Sequence, residues 1–287
     1  MVSGNRQKVT DKQVVDKILE RLAEAEQPLP THLELYRRAL IAQSQTIMPD
    51  LSPSLTALKD KVSRQTAQGK PMLTFDDLGI DWAEMQILLQ QVVRLTNEYL
   101  SPAPEESEEL DKLSKDFALL RKAAKTWFEA GVGSDKGTES KGMSPLTTSV
   151  LQATLNPLLA AYACELLPLL DAETWHQRYC PICKGNPDFA FLDKEKGARW
   201  LLCSRCDAQW LFPRLVCPHC GNDDQKTLAF FTDDKGLYRL YVCDKCRHYL
   251  KAIDLRKTDA EILLPLERVL TLDMDRQAQE MKYQPVA

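Results

Sequence analysis

Eight of the nine cysteines in this 287-residue chain form four Cys-x-x-Cys pairs between residues 180 and 246. The pairs are Cys180 with Cys183, Cys203 with Cys206, Cys217 with Cys220, and Cys243 with Cys246. Two thiolates at this spacing on a tight turn can point at one cation, and two such turns complete a tetrahedral sulfur site. Eight sulfurs make two closed sites, without the open position that a catalytic metal keeps for water or substrate. The pattern therefore predicts two structural metal ions held by these eight cysteines.

The cysteine-rich stretch is also an internal repeat. Each Cys-x-x-Cys turn is called a knuckle below. In each copy one knuckle is followed by a short apolar strand, a charged turn with a glycine (Gly197 or Gly236), a second strand and another knuckle. This order is typical of a β-hairpin. The simplest arrangement puts the four cysteines of each copy at one site, but the spacing alone leaves an interleaved pairing open.

Apolar residues before residue 171 recur at helical spacing. They predict helices over 11–25, from Thr31 onwards, around Leu55–Val62, over Met85–Tyr99, over Leu110–Trp127 and over 146–170, the last bent or started at Pro157. A glycine-rich loop is expected from 131 to 145. After residue 176 the hydrophobic period changes from 3.6 to 2, which indicates strands.

These patterns predict an α+β protein in three parts. Residues 1–171 form an all-helical bundle domain. Residues 172–257 hold tandem four-cysteine metal-binding modules of the rubredoxin or zinc-ribbon kind, about 177–210 and 211–257. Residues 258–287 return to a C-terminal helix, starting near Thr258 or near Leu264.

The sequence shows no targeting signal and no membrane-spanning segment. The N-terminus lacks the apolar region of a secretory signal, and the most apolar run, residues 158–170, is interrupted by Glu165 and Pro168. The sequence therefore predicts a soluble cytoplasmic protein without membrane contact. In a reducing cytosol, Cys-x-x-Cys sets serve as metal ligands or redox dithiols more often than as structural disulfides.

The identity of the metal is left open by the spacing. Sulfur-only tetrahedral sites suit zinc, a single iron or an iron–sulfur cluster. Dithiol redox work fits less well, because it needs an accessible cysteine of low pKa, usually at a helix N-terminus, whereas these pairs have strand-like flanks.

A nucleic-acid interface is the main alternative. Aromatic residues and arginines share the predicted strands, as stacking and phosphate contact would require: Phe189, Trp200, Trp210, Phe230, Tyr238, Tyr241, Arg199, Arg205, Arg214 and Arg239. Residues 177–257 carry 15 Lys and Arg against 10 Asp and Glu, yet the whole chain has a net charge of −4. A small sheet also needs aromatics for its own core, and the acidic total disfavours general nucleic-acid affinity.

The remaining chemistry-bearing residues have no predicted catalytic role. With eight thiolates present, none of the four histidines is needed as a ligand, although His248 could donate a hydrogen bond to a thiolate. His219 is expected to face solvent, and Cys164 is expected to be a small buried hydrophobic residue. No phosphate-binding loop or Ser/His/Asp set stands out, so the sequence predicts a protein that is not an enzyme.

The order of these features resembles the FdhE family of formate dehydrogenase accessory proteins. The resembling segments are Arg178-Tyr-Cys-Pro-Ile-Cys183 with Pro187, Trp200-Leu-Leu-Cys-Ser-Arg-Cys206, Trp210 to Cys217, and Cys243-Asp-Lys-Cys246 leading into Tyr249-Leu-Lys-Ala-Ile, with weaker similarity in 39–45 and 67–71. One departure is Lys184, where a glycine often follows the first knuckle and where another residue could alter the turn.

The resemblance implies a helical domain followed by two rubredoxin-like modules that bind iron, with zinc as the alternative. It further implies a cytoplasmic factor that is required for active respiratory formate dehydrogenase and that binds the catalytic subunit of that enzyme. A homodimer is compatible with this role. The other function classes left open are a zinc-ribbon nucleic-acid binder and a rubredoxin-like electron carrier.

Overall fold

A computed structural model describes residues 11–130, 143–171 and 174–286. The helices within these residues are α1 (Asp11–Glu24), α2 (Thr31–Ser44), α3 (Ser52–Lys59), α4 (Val62–Ala67), α5 (Trp82–Leu100), α6 (Pro104–Lys115), α7 (Phe117–Glu129), α8 (Pro145–Leu166), α9 (Leu264–Leu270) and α10 (Leu272–Glu280). The strands are β1 (Pro187–Leu192), β2 (Arg199–Cys203), β3 (Gln209–Leu211), β4 (Leu228–Thr232), β5 (Tyr238–Cys243), β6 (His248–Asp254) and β7 (Gln284–Pro285). The predicted α+β class is confirmed.

The helical periodicity located most N-terminal helices, but two predicted helices are broken. The segment over Leu110–Trp127 is divided between α6 and α7, because Asp116 takes an extended conformation and its side chain caps α7 by accepting the N–H of Leu119 at 2.9 Å. The segment around Leu55–Val62 is likewise split into α3 and α4. The predicted loop 131–145 lies mostly outside the described residues.

Helix α8 is strongly apolar, and Leu151, Leu158 and Leu159 are fully buried. It begins at Pro145 and carries Pro157 in its interior, so the alternative start at Pro157 is wrong. With the 3-10 turn that follows, the segment Pro145–Leu169 is long and apolar enough to cross a membrane, and 61% of its most apolar window is buried. Burial of this kind is typical of the core helix of a soluble protein.

The chain divides into two compact units. Among the described residues, the first comprises 11–57, 74–130 and 143–165, and the second comprises 58–73, 166–171 and 174–286. The short stretch from Leu58 to Leu73 therefore groups with the cysteine-rich part, although the sequence places it among the helices. The predicted domain limits at residues 171 and 257 stay a prediction.

Within the second unit, both hairpins belong to one sheet. Six of its strands run in the order β3-β2-β1-β6-β5-β4, and β7 pairs separately with β6. All neighbours in this order are antiparallel except β1 and β6, whose parallel register matches Phe189 with Lys251 and Leu192 with Asp254. The two repeat copies therefore form one continuous sheet.

The joint between the copies is well packed. Phe189, Phe191 and Leu202 of the first copy form one buried cluster with Ile253 of β6 and Leu264 of α9. Burial of this cluster ties the two hairpins together, since each fully buried apolar side chain contributes about 1.5–3 kcal/mol.

A buried ion pair lies at the end of β6. Asp254 is fully buried and accepts hydrogen bonds from Arg239 and Arg256, both at 2.7 Å. The Arg256 guanidinium and, more weakly, Arg239 hold the pKa of this carboxyl at about 2. The contact fixes β5 against the turn that follows β6.

The C-terminal part is more complex than the single predicted helix. The helical region starts at Leu264 rather than at Thr258, consistent with Pro265 in the first turn, and it is divided into α9 and α10. On one face of the sheet, Leu240, Val242 and Tyr249 pack against Ala278 and Tyr283. The C-terminal helices therefore cover the sheet that carries the knuckles.

Candidate metal centres

The four Cys-x-x-Cys knuckles share one backbone geometry. In each, the N–H of the residue after the second cysteine donates to the carbonyl of the first cysteine, at 2.8 to 3.3 Å. That following residue has a positive φ in all four turns: Lys184 at 62°, Asp207 at 55°, Gly221 at 74° and Arg247 at 58°. The turn thus brings both sulfurs to the same side whichever residue follows.

The departure at Lys184 leaves the first knuckle unchanged. Lys184 takes nearly the same left-handed conformation as Gly221 at the equivalent position of the second copy. A residue with a Cβ adopts this conformation at a cost of about 1–2 kcal/mol. The knuckle geometry is retained at that cost.

The structure gathers the sulfurs into two groups of four, Cys180/Cys183/Cys203/Cys206 and Cys217/Cys220/Cys243/Cys246. The sulfur atoms within each group all lie within 4.8 Å of one another. The grouping follows the repeat copies and not the interleaved alternative.

The sulfur spacing fits a tetrahedral cation. Contacts between sulfurs measure 3.5 Å in the first group and 3.7 and 3.8 Å in the second. A metal–sulfur bond of about 2.3 Å in a tetrahedron places sulfurs about 3.8 Å apart. Each group could therefore hold one metal ion with four sulfur ligands, and iron and zinc accept the same cage.

Ionisation of the cysteines also calls for a cation. In the first group, burial raises the pKa of Cys180 and Cys206. For Cys183 the same burial is outweighed by the contacts of the other three sulfurs, which lower the pKa of this thiol. Four buried thiolates in contact repel one another unless a positive ion sits among them.

The first site is fully buried and braced by backbone donors. The N–H groups of Ile182 and Arg205 each donate to a cysteine sulfur at 3.3 Å. A Cβ added at Gly185 would lie 2.9 Å from the sulfur of Cys203, so a glycine is needed there. Hydrogen bonds of this kind stabilise the thiolate form that a metal requires.

A segment distant in sequence pairs with the first knuckle. The N–H groups of Met72 and Leu73 donate to the carbonyls of Pro181 and Ile182 at 2.8 and 2.9 Å. The hydroxyl of Tyr179 donates to the carbonyl of Gly69 at 2.8 Å. These contacts explain why Leu58–Leu73 belongs to the second unit.

The second site is more open than the first. Its Cys220 and Cys246 are partly exposed, whereas all four cysteines of the first site are buried. The rings of His219 and His248 stack beside this site with their centroids 3.5 Å apart. Burial of the ring and, to a lesser extent, the neighbouring charge of His248 lower the pKa of His219 to about 4. The sequence predicted that His219 faces solvent, whereas the structure shows this residue partly buried against His248.

The role predicted for His248 is not decided by its contacts. Its Nδ1 lies 2.7 Å from the carbonyl oxygen of Cys246, which orients the ring next to the site. Donation from His248 to a thiolate stays a prediction.

Other candidate residues lie apart from the two sulfur groups. Cys164 is partly exposed on α8 rather than fully buried, because its helical neighbours Tyr162, Ala163 and Leu166 turn towards the core instead. His32 and His176 are exposed.

Most residues considered for nucleic-acid stacking and phosphate contact are buried or partly buried. Phe189, Trp210 and Arg199 are buried, and Arg199 donates to the carbonyls of Pro213 and Val216. Phe230, with half of its surface exposed, and Arg214 are the exposed members of the set. The structure thus lacks a continuous stacking surface across the candidates named from the sequence.

The structure also adds supporting residues that the sequence analysis missed. Arg268 of α9 pairs with Asp188 and Asp207 at 2.8 and 2.9 Å and donates to the carbonyl of Cys203 at 3.0 Å, which braces a knuckle of the first site. Asn222 is buried, and its amide lies 3.7 Å from the sulfur of Cys243. The sequence could have indicated Asn222, because this residue directly follows a knuckle and its glycine. It could not have indicated Arg268, because Arg268 is far from the knuckles along the chain.

Comparison with known proteins supports the resemblance seen in the sequence. Residues 179–214, which hold the first site, match the family model described as the FdhE central domain. The FdhE homolog of Aquifex aeolicus is 28% identical over 258 residues, covering 88% of this chain and 83% of the relative. The FdhE protein of Escherichia coli K12 is 27% identical over 276 residues, covering 95% of this chain and 85% of the relative.

The chain is similar to FdhE proteins over most of its length. The fold agrees: the crystal structure of the FdhE protein from Pseudomonas aeruginosa matches with a TM-score of 0.63, at 20% identity, over 94% of this chain and 91% of that one. The match to residues 179–214 places the first group of four cysteines within the segment that the FdhE central-domain model describes.

Proposed function

We propose that this chain is a cytoplasmic accessory protein in the maturation of respiratory formate dehydrogenase, and that it acts by binding the catalytic subunit of that enzyme. The observation that carries the proposal is similarity to FdhE proteins over most of the chain, because the family resemblance implies this role. The two closed sulfur sites support a binding protein rather than an enzyme, since four sulfur ligands leave no position for a substrate.

In this proposal the eight cysteines hold two metal ions, one in each group. Iron is the metal that the family implies, and zinc would fit the same ligands. A bound ion would crosslink two knuckles and so make the small sheet rigid enough to be recognised. Metal analysis with a visible spectrum of aerobically purified protein distinguishes the two metals, because an iron–sulfur tetrahedron is coloured and a zinc one is not.

Co-purification tests the partner. Tagged, metal-loaded protein is incubated with the immature catalytic subunit of formate dehydrogenase and, separately, with an unrelated oxidoreductase. Selective recovery of the formate dehydrogenase subunit is expected, and equal recovery of both enzymes would count against the proposal.

A matched pair of cysteine variants tests the part played by the metal sites. Cys203→Ser removes a ligand of the first site, whereas Cys164→Ser changes the one cysteine outside both groups. We expect Cys203→Ser to abolish recovery of the subunit and Cys164→Ser to leave it unchanged. Full recovery with Cys203→Ser would show that binding does not depend on the metal module.

A further inference from the structure

A small cavity lies beside the second group of cysteines. Two arginines line it, Arg199 of β2 and the exposed Arg214, together with Tyr241 of β5 and walls that are mostly apolar. Of the described residues that line the cavity, none carries a carboxylate. Its volume is about 30 Å³, which gives room for about two water molecules. The cavity is therefore small and has an excess of positive side chains.

Two residues that line this cavity bury a polar atom for which the described residues offer no hydrogen-bond partner. These atoms are the Nε of Arg199 and the hydroxyl oxygen of Tyr241. The rest of the Arg199 side chain is held in place. Its Nη2 donates to the carbonyls of Pro213 and Val216, and its guanidinium carbon lies 5.4 Å from the centroid of the Tyr241 ring. A buried donor that stays unpaired is costly, so an acceptor is expected at this point.

Arg199 also lacks a carboxylate as counter-charge. Its side chain is 2% exposed, and it takes part in no ion pair among the described residues. Burial lowers the pKa of Arg199 to about 10, which still leaves the guanidinium charged at neutral pH. Because buried charges in proteins are normally paired, the expected acceptor is an anion.

The sulfur group is the other source of negative charge near Arg199. Cys217 and Cys243 line the same cavity, and four thiolates around a divalent ion would keep a net negative charge. However, neither the Nε of Arg199 nor the hydroxyl of Tyr241 donates to a sulfur atom. The sulfurs therefore offset part of the arginine charge and leave both donors unsatisfied.

We propose that this cavity binds a small free carboxylate of one or two carbons. Its oxygens accept hydrogen bonds from the Nε of Arg199 and the hydroxyl of Tyr241, and its carbon contacts apolar walls such as Leu250 and Val286. Sites for small ligands commonly combine an apolar lining with a few polar groups in this way. The volume of the cavity excludes larger acids. The site rests on these residues and not on the proposed partnership with formate dehydrogenase.

Equilibrium dialysis of the full, metal-loaded chain against labelled formate, acetate and benzoate tests the site. Formate and acetate are each expected to bind at one equivalent with a dissociation constant of about 1 mM, which is near the limit for so small a ligand. Benzoate is expected not to bind. A chain that binds neither formate nor acetate would show that the sulfurs and water alone satisfy Arg199, and benzoate binding as tight as that of acetate would contradict the assignment to this cavity.

A pair of tyrosine variants locates the binding. Tyr241→Phe removes one proposed donor without breaking a hydrogen bond among the described residues, and it should raise the dissociation constant for formate about tenfold. Tyr238→Phe is the matched control, because it removes a hydroxyl from the same strand at a residue that does not line the cavity; it should bind formate like the wild type.

Thermal unfolding gives a second measurement on the same proteins. Formate should raise the melting temperature of the wild type and of Tyr238→Phe more than that of Tyr241→Phe, because a ligand stabilises the folded state according to its affinity. An unchanged affinity in Tyr241→Phe, or an equal loss in both variants, would overturn the proposal. These outcomes are independent of the co-purification that tests the proposed partner.

Discussion

At the scale of single residues, the left-handed position after each knuckle decides whether two sulfurs face one ion. Three of the four turns use a residue with a side chain there, and only Gly221 is free of the associated strain. Asp207 is partly compensated, because its carboxylate pairs with Arg268. Lys184 has no such compensation in the ion pairs of the described residues.

Lys184→Gly should therefore stabilise the protein. Relief of the left-handed strain is expected to raise the free energy of unfolding by about 1 kcal/mol, because glycine adopts positive φ without a steric cost. Thermal unfolding of the metal-loaded protein measures the change. The mirror substitution, Gly221→Lys, should destabilise by a similar amount, and a lowered melting temperature for Lys184→Gly would contradict the argument.

At the scale of elements, each group of four cysteines is contacted by a segment that is remote in sequence. For the second site this is the C-terminal segment 281–286. The N–H of Gln284 donates to the carbonyl of Arg247 at 2.8 Å, and the hydroxyl of Tyr283 donates to Asp244 at 2.7 Å. Val286 is buried and lines a small cavity with Cys217 and Cys243. The segment therefore shields the more open of the two sites.

Truncation after Lys282 should make the second metal easier to remove. We expect a chelator to extract one of the two metal equivalents several-fold faster than from the full chain, and the other equivalent in a slower second phase. The two phases are followed by a colorimetric chelator assay. Removal of Ala287 alone serves as the control, and identical kinetics for the full and truncated chains would show that the segment does not shield the site.

At the scale of the whole molecule, the two repeat copies are not independent modules. Their hairpins share the parallel β1–β6 pairing and one buried cluster in the second unit. A structural metal bound at such a site would contribute on the order of 10 kcal/mol, and both halves would share that free energy through the joint. Loss of the metal at one site should therefore destabilise the other site.

Cys203→Ala should release the first metal and weaken the second site as well. Metal analysis is expected to give less than one full equivalent, and limited proteolysis should cut within both hairpins, whereas the wild type resists. Mass spectrometry of the fragments locates the cuts. A variant that keeps one full equivalent, with β4–β6 still protected, would show that the two halves fold independently.

The sequence by itself determined the local parts of this protein. The Cys-x-x-Cys spacing identified the eight sulfurs, the alternation between knuckles identified the hairpins, and helical periodicity located segments such as α5. These features depend on residues close in the chain, whose geometry follows from short-range backbone rules. For the same reason the family resemblance was already visible in the knuckles and their flanks.

Only the tertiary structure decided what joins these parts. The parallel pairing of β1 with β6, the binding of Met72 and Leu73 to the first knuckle, and the bracing of Cys203 by Arg268 all link residues far apart in sequence. Such contacts arise from the burial of a shared core and leave no periodic signal along the chain. The break at Asp116 was missed for a related reason: a single capping side chain outweighed the helical periodicity on both sides of it.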